Sequence, residues 1–217
     1  MVEPLRVILA TRNQGKAREF GRLLEPALVL EALPGWIPLP EETGSTFAAN
    51  ARLKADCVAD ALAWGGAVLA DDSGLEVAAL GGRPGVRSAR FAGEQASDEE
   101  NVEKLLGALG DSPEREARFV CALCLTLPDV PSRPVRHRWV EVEGVLAGEI
   151  ARRARGSHGF GYDPVFQPHG WSMTLAEAPV TKKDLVSHRG AACRELLKAL
   201  ACVDPAGEQG RRGGLGL

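Results

Sequence analysis

The stretch LRVILATRNQGK (residues 5–16) combines the two patterns that decide the fold. Residues 5–11 form a short apolar run, which is typical of a buried strand. A polar turn follows, and a helix is predicted from about residue 15 to residue 25, with Phe20 and Leu24 on its apolar face. This part of the sequence therefore predicts a strand that leads directly into a helix.

The rest of the chain continues this alternation of apolar runs and helical patterns. Ser97 and Glu100 fit a capping box, so a helix is predicted behind them to about Leu109, with Gly110 as its end. Three prolines between residues 128 and 134 exclude regular strand pairing there. The mixture predicts an α/β fold with both parallel and antiparallel strands. Further strands are predicted at residues 27–33, 67–70, 118–127 and 135–142, further helices at residues 46–64 and 189–200, and loop over most of residues 150–161.

The length and the termini predict one domain. Residues 204–217 are rich in glycine and lack apolar periodicity, which predicts a disordered tail behind a single domain at residues 1–203. No apolar run approaches the ~20 residues that span a bilayer, and the start shows no signal-peptide pattern. We therefore expect a cytoplasmic protein without a membrane partner.

Charge and cysteine content narrow the class of ligand. The formal net charge is −3, whereas nucleic-acid binders usually carry a basic excess, so no nucleic-acid partner is expected. A polyanionic ligand must then be held by a few local cations and a metal, which favours a small phosphorylated molecule. Five irregularly spaced cysteines are typical of reduced thiols. Cys121 and Cys124 lie three residues apart on a predicted strand and should occupy opposite faces, as core residues.

The segment Thr11-Arg12-Asn13-Gln14-Gly15-Lys16 lies where the first strand passes into the first helix. The first amides of a helix lack partners and its dipole favours an anion, so this turn is a candidate phosphate site with Lys16 as an added charge. The alternative is that Asn13 is only a helix cap and Lys16 a surface residue. The segment alone leaves both interpretations open.

Two acidic pairs suggest a metal site. Asp71-Asp72-Ser73-Gly74 follows a predicted buried strand, where adjacent carboxylates are costly unless paired or metal-bound. Strand alternation directs Asp71 and Asp72 to opposite sides. A simple turn is the competing interpretation, and it is weakened by the second pair, Glu41-Glu42, in a loop before the long helix. Mg²⁺ prefers such oxygen ligands and usually takes one or two carboxylates plus substrate phosphates.

Three further patterns suggest ligand contact. The glycine-rich segment at residues 156–164 holds Phe160 and Tyr162, which could form a stacking wall for a base. Asn50 and Lys54 share a helix face and could both point to the phosphate-binding region. That pair alone is more typical of a solvated helix face. Cations at the start of the last helix oppose its dipole, and a bound anion would remove the conflict. These cations are Lys182, Lys183, His188 and Arg189.

Taken together, these motifs resemble the inosine/xanthosine triphosphate pyrophosphatase family, also called Ham1-like or RdgB-like proteins. Any one of the motifs is modestly specific, whereas all of them in this order are highly specific. They span nearly the whole chain apart from the tail. The matching segments are ATRNQGKAREF (10–20), EETGSTFAANARLKA (41–55), LADDSGLEVAALGGRPGVRSARFAG (69–93), GSHGFGYDPVF (156–166) and TLAEAPVTKKDLVSHRGAA (174–192).

The resemblance implies a fold, an assembly and a reaction. The fold is elongated, with a long central mixed sheet, flanking helices and a nucleotide cleft between two lobes, and the assembly is a homodimer. The reaction is the Mg²⁺-dependent hydrolysis of ITP, dITP or XTP between the α and β phosphates, which gives the monophosphate and pyrophosphate and keeps these nucleotides out of DNA and RNA.

The resemblance also implies roles for individual residues. Asp72 acts as the base that activates water and helps to bind Mg²⁺, with Glu41, or alternatively Glu42, as second metal ligand. Residues 11–16 hold the triphosphate and Ser73 touches the substrate. The base, the sugar and the 6-oxo edge are contacted by Phe160, Gly161, Tyr162, Asp163, Lys183, His188 and Arg189.

Two positions depart from the family pattern. Arg12 stands where the family often has a small residue, and Arg87 stands where it often has an aromatic one. Both could alter the charge at the entrance of the site. Two alternatives remain at this point: a Maf-like pyrophosphatase with other substrates, and a nucleotide-binding protein without turnover.

Overall fold

The computed structural model describes residues 4–62, 66–127 and 138–202. It contains six strands and five α-helices, which alternate as far as the fourth strand, and short 3-10 turns at Ala78–Leu80, Gly85–Arg90 and Leu175–Glu177. In chain order the strands are β1 (Leu5–Leu9), β2 (Leu28–Ala32), β3 (Ala67–Val77), β4 (Glu116–Leu127), β5 (Arg138–Ile150) and β6 (Phe166–Pro168). The helices are α1 (Gln14–Leu24), α2 (Phe47–Ala61), α3 (Asp98–Leu109), α4 (Val180–Val186) and α5 (His188–Cys202).

The strands form one six-stranded sheet in the order β2-β1-β3-β4-β5-β6. β1 runs parallel to β2 and β3, and all later pairings are antiparallel. Parallel neighbours need a crossover, which α1 supplies between β1 and β2 and α2 supplies before β3. The predicted α/β fold with a mixed sheet is therefore confirmed.

Helices cover both faces of the sheet at its centre, so β1, β3 and β4 are apolar on both sides. One core cluster packs α2 against β1, β3 and β4 and includes Ala55 and Cys124. The opposite cluster packs α1 and α5 against the same strands and includes Phe20 and Cys121. The expectation that Cys121 and Cys124 occupy opposite faces, as core residues, is confirmed. A third cluster joins the far ends of β3 and β4 to α3.

Two strand predictions need correction, and two elements were not predicted. β3 does not end at Ala70 but continues through the acidic pair to Val77, because β4 pairs with it residue by residue along that whole length. β5 is longer than predicted and reaches Ile150, where β6 pairs with its end. The sequence patterns missed both β6 and α4, since three and seven residues are too short to show a period.

Other predictions are confirmed or concern residues that the structure does not describe. The capping box at Ser97 and the stop at Gly110 are present. The three prolines between β4 and β5 and the tail at residues 204–217 lie outside the described residues, as do residues 63–65 at the end of the predicted long helix. Within the described ranges, no helix is long and apolar enough to cross a bilayer.

Candidate active site

The centre of the site is the acidic pair in the middle of β3. Asp71 and Asp72 are both buried, and strand alternation directs them to opposite faces as expected. Asp71 faces α1 and α5, and Asp72 faces α2. The interpretation of this segment as a turn is wrong, because the strand passes straight through it.

Asp72 lies among polar groups of α2. Asn50 donates to Asp72 Oδ2 at 2.9 Å, and Lys54 Nζ is 3.8 Å from Asp72 Oδ1. Burial raises the pKa of Asp72 above its ordinary value; Lys54 opposes this shift and the nearby Glu42 adds to it. The reading of Asn50 and Lys54 as a solvated helix face is wrong, since both side chains are buried against this carboxylate.

Glu42 joins Asp72 through a shared cation. Lys54 Nζ lies 2.6 Å from Glu42 Oε1, and Arg90 donates to Glu42 Oε2 at 3.1 Å. Burial would lower the pKa of Lys54, but the surrounding carboxylates raise it on balance, so the lysine stays charged. Glu41 is exposed at the surface. The structure thus brings Glu42, and not Glu41, to Asp72.

Carboxylate oxygens from the loop before α2 and from β3 therefore meet at one ammonium group. A divalent cation in the place of that ammonium would find oxygen ligands from Glu42 and Asp72, which suits Mg²⁺. Within the described ranges no group of three or more acidic, His or Cys side chains could hold a metal by itself. Two carboxylates nevertheless suffice when a substrate supplies phosphate oxygens.

On the other face, α1 supplies the partner of Asp71. Lys16 Nζ lies 2.6 Å from Asp71 Oδ2. Burial would raise the pKa of Asp71, but Lys16 and Lys54 hold it below its ordinary value. Asn13 caps α1 by accepting from the Lys16 amide at 3.0 Å. Asn13 is thus the helix cap, as one interpretation had it, whereas Lys16 is not a surface residue but pairs with Asp71; phosphate binding at this turn stays a prediction.

Arg12 does not point into the site. Its guanidinium donates to the carbonyl oxygens of Leu33, Pro34 and Ile37, at 2.8–3.0 Å. The expectation that this side chain holds triphosphate is therefore corrected: it fastens the loop behind β2 instead. Arg87 likewise pairs with Glu94 at the surface, at 2.8 Å.

The glycine-rich loop contributes one aromatic side chain to the site. Phe160 packs so closely on α1 that a Cβ at Gly15 would lie 2.8 Å from its ring. The guanidinium of Arg189 lies 4.8 Å from the centre of the same ring. Tyr162, by contrast, is buried in the core, and its hydroxyl donates to the Ser88 carbonyl at 2.8 Å. The expectation that the Tyr162 ring forms a stacking wall is wrong.

A buried charge network lies behind Phe160. Glu19 of α1 accepts from Lys183 at 2.5 Å and from Arg189 at 2.8 Å, and Lys183 also contacts Asp163 at 2.5 Å. Burial opposes ionisation of Glu19, yet the two cations hold its pKa below the ordinary value. The sequence motifs did not indicate a role for Glu19. The available signal was a charged residue beside Phe20, on the apolar face of a predicted helix.

This network corrects the argument about helix dipoles. Lys183 belongs to the separate helix α4, and the two carboxylates of Glu19 and Asp163 pair with the cations Lys183 and Arg189 without a bound anion. Lys182 is not part of the network and lies over the Trp171 ring at 4.2 Å.

Several buried polar atoms of the site have no hydrogen-bond partner among the described residues. They are Asp71 Oδ1, Arg189 Nε and both ring nitrogens of His188. Burial and the neighbouring cations Arg189 and Lys183 lower the pKa of His188 well below its ordinary value, so the ring is neutral. Buried polar groups are normally paired, so these atoms are expected to meet ordered water or a polar ligand.

Residues 7–199 match the sequence profile of the Ham1 family. The chain belongs to this family. It is 48% identical over 195 residues to the dITP/XTP pyrophosphatase of Methylacidiphilum infernorum (isolate V4), with 88% of this chain and 92% of that protein covered. It is 44% identical over 198 residues to the dITP/XTP pyrophosphatase of Bacillus subtilis (strain 168), with 89% and 96% covered.

Solved Ham1 structures have the same fold. The Ham1 protein of Staphylococcus aureus superposes with a TM-score of 0.79 at 41% identity, over 92% of this chain and 100% of that one. A nucleoside-triphosphatase / dITP/XTP pyrophosphatase from Mycobacterium abscessus gives a TM-score of 0.67 at 40% identity, over 93% and 98%. The family assignment made from the motifs is confirmed.

Proposed function

We propose that this Ham1 protein hydrolyses deaminated purine nucleoside triphosphates, namely ITP, dITP and XTP, with Mg²⁺, to the monophosphate and pyrophosphate. The observation that carries the proposal is the buried Asp72, which has a raised pKa and shares Lys54 with Glu42. The relatives support it, since they are dITP/XTP pyrophosphatases. The chain is accordingly a nucleoside-triphosphate pyrophosphatase by enzyme class. The cellular role that follows is to keep these nucleotides out of DNA and RNA.

The triphosphate would bind where side chains from both faces of β3 can reach it. The free amides at the start of α1 favour phosphate oxygens, and Lys16 adds a positive charge beside them. Lys54 and Arg90 bring further positive charge from the opposite face. Phosphoryl transfer needs such neutralisation and positioning more than covalent catalysis.

Asp72 would act as the general base. Its carboxylate would take a proton from a water molecule whose oxygen bonds to the α-phosphorus, while the α–β anhydride bond breaks and pyrophosphate leaves. The proton then passes from Asp72 to solvent. The raised pKa makes Asp72 a better proton acceptor. Asn50 fixes the carboxylate by donating to Oδ2. Glu42 and Asp72 would hold Mg²⁺, which supplies charge neutralisation at the phosphate oxygens.

The base would be recognised by buried polar groups at the start of α5. Arg189 lies beside Phe160, and its Nε has no hydrogen bond to a described residue. The neutral His188 ring, which stacks on Phe119, offers one donor and one acceptor. A 6-oxo purine accepts a hydrogen bond where a 6-amino purine donates one. A site with buried donors can therefore reject ATP strongly, because the wrong base leaves them unpaired.

Product analysis tests the proposal directly. Purified protein with Mg²⁺ should convert ITP to IMP and pyrophosphate and leave ATP nearly untouched. Equal cleavage of both would retain the reaction but remove the base-reading roles. Release of orthophosphate would contradict the reaction, and cleavage confined to pyrimidine nucleotides would favour a Maf-like enzyme. Binding of ITP without any turnover would indicate a nucleotide-binding protein. We also propose a homodimer, which light scattering would detect at twice the mass of one chain.

A further inference from the structure

A second charged cavity lies at the end of the sheet where β4 begins and β5 ends. Its volume is about 390 Å³, and we call it the arginine pocket. It is distinct from the candidate active site: Asp71 pairs with Leu123 on β4, roughly 23 Å along the strand from Glu116 at its start. The lining comprises Arg115, Arg152, Arg153 and Arg155, with Glu149 as its one acidic side chain, and Pro113, Ile150, Ala151 and Gln167.

Two of the four arginines shape the cavity. Arg115 is buried and donates to the carbonyl oxygens of Gly110, Ile150 and Ala151. Arg155 donates from Nη2 to Gln167 at 2.9 Å. Its buried Nε has no hydrogen bond to a described residue, but it lies 3.4 Å from Glu177 in an ion pair. These contacts fix the walls of the cavity and keep positive charge at its base.

The other two arginines lack a strong partner. Among the described residues Arg152 has one ion pair, at 3.9 Å to the fully exposed Asp111, and solvent weakens such a pair. Arg153 has neither an ion pair nor a hydrogen bond to any described residue. Burial and the nearby Arg152 lower the pKa of Arg115, whereas Glu149 and Asp111 oppose the shift. Arg115 and Arg152 line the same cavity, and an anion between their guanidinium groups would reduce the repulsion between them.

We infer that the arginine pocket binds a small phosphoryl anion of the pyrophosphate class. Planar guanidinium groups bind phosphate oxygens in pairs, and several of them suit an ion with more than one phosphoryl group. None of the lining residues is aromatic, so the cavity offers no surface on which a nucleobase could stack. The ligand is therefore the phosphoryl group itself and not a nucleoside. This inference stands whether or not the proposed hydrolysis occurs.

Amide NMR shifts of the whole chain, titrated with inorganic pyrophosphate in EDTA at low salt, locate the binding. We expect shifts at residues 149–155 that saturate separately from any at residues 11–16. The variant Arg152→Gln/Arg153→Gln should weaken binding at residues 149–155 by about tenfold or more, because two charge-assisted contacts are lost. The control Arg6→Gln/Arg138→Gln removes the same charge from exposed positions on β1 and at the far end of β5, and it should weaken binding less than about twofold.

The two proposals fail separately in this design. Absence of saturable shifts at residues 149–155, or equal weakening by both double variants, would overturn the arginine pocket. Nucleotide hydrolysis by Arg152→Gln/Arg153→Gln, measured in parallel, reports on the active site alone. A parallel titration with orthophosphate should give weaker binding, and equal affinity for both ions would overturn the assignment to the pyrophosphate class.

Discussion

Asp71 and Asp72 are neighbours on β3, yet their carboxylates contact different helices on opposite faces of the sheet. Lys16 of α1 lies 2.6 Å from Asp71 Oδ2, and Asn50 of α2 donates to Asp72 Oδ2 at 2.9 Å. Their pKa values move in opposite directions: cations hold that of Asp71 down, and burial holds that of Asp72 up. Paired carboxylates with separated pKa values typically divide their roles. Asp71 anchors Lys16, and Asp72 is the carboxylate that we propose as the general base.

This division predicts the effect of Asp72→Asn. We expect hydrolysis of ITP to fall by about 10²–10⁴-fold, the usual contribution of a general base, with a further loss from weaker metal binding. The fold should persist, because the amide keeps the shape of the carboxylate. Steady-state rates and circular dichroism measure the two effects, with Glu103→Gln on the exposed side of α3 as control. Turnover near that of the control would rule out Asp72 as the base.

The two adjacent glutamates should differ in their effect on metal dependence. Glu42→Gln removes a carboxylate that contacts Lys54 and Arg90, so we expect the Mg²⁺ concentration for half-maximal rate to rise about tenfold or more. Glu41→Gln changes an exposed side chain and should leave it within about twofold. Rates measured over a range of Mg²⁺ concentrations compare the variants. The reverse order of effects would assign the metal to Glu41.

Variants of the buried cations should alter selectivity. Lys183→Ala and Arg189→Ala each remove a cation beside Phe160, and we expect kcat/KM to fall more for ITP than for ATP. Each variant leaves Glu19 with one cation, so chemical denaturation should also show a loss of roughly 3–5 kcal/mol. Glu19→Gln keeps both cations and separates the two effects. Equal proportional losses for ITP and ATP would exclude a base-reading role.

The neutral His188 predicts a dependence of stability on pH. Its pKa in the folded protein lies well below 6.5, whereas the unfolded chain takes up a proton near 6.5. As pH falls below 6.5, only the unfolded state gains that proton, so the free energy of unfolding decreases by up to about 1.4 kcal/mol per pH unit. Urea denaturation at several pH values should show this slope. His188→Phe, which keeps a ring against Phe119, should lose it, and the exposed His158→Gln should keep it. An unchanged slope in His188→Phe would contradict the assignment.

Two glycines form a matched pair for a packing test. A Cβ at Gly144 of β5 would collide with the Ala192 amide and the His188 carbonyl of α5. Gly144→Ala should therefore lower the free energy of unfolding by about 1–3 kcal/mol or more. Gly107 on α3 has open space, and Gly107→Ala should stabilise the protein by about 0.5–1 kcal/mol. Thermal denaturation of both variants checks the opposite signs, and destabilisation of similar size in both would contradict the packing argument.

The sequence could predict elements whose signals are local. The Ser97 capping box and the alternation of Cys121 and Cys124 depend on neighbouring residues, and both were found as predicted. The true end of β3 could not be predicted in this way. Asp71 and Asp72 look like a turn in the sequence, and only their pairing with β4, Lys16 and Lys54 makes a strand possible there.

The same contrast between local signals and distant contacts applies to the residues of the site. Motifs indicated Lys16, Asp72 and Arg189 because each lies in a recognisable segment. They could not show that Arg12 fastens a loop, since its three acceptors lie more than twenty positions away. Nor could they place Tyr162 in the core, because its partner Ser88 is 74 positions distant.

The contact between Glu19 and Arg189 spans 170 positions of the chain. During synthesis on a ribosome, at ~5–20 residues per second, Glu19 must therefore wait roughly 10–30 seconds for its second cation. A nascent or prematurely terminated chain that lacks Lys183 and Arg189 already carries the acidic pair and the Lys16 turn, but it lacks two of the side chains that we propose to read the base. Under that proposal, incomplete copies of this protein should be unable to select among cellular nucleotides.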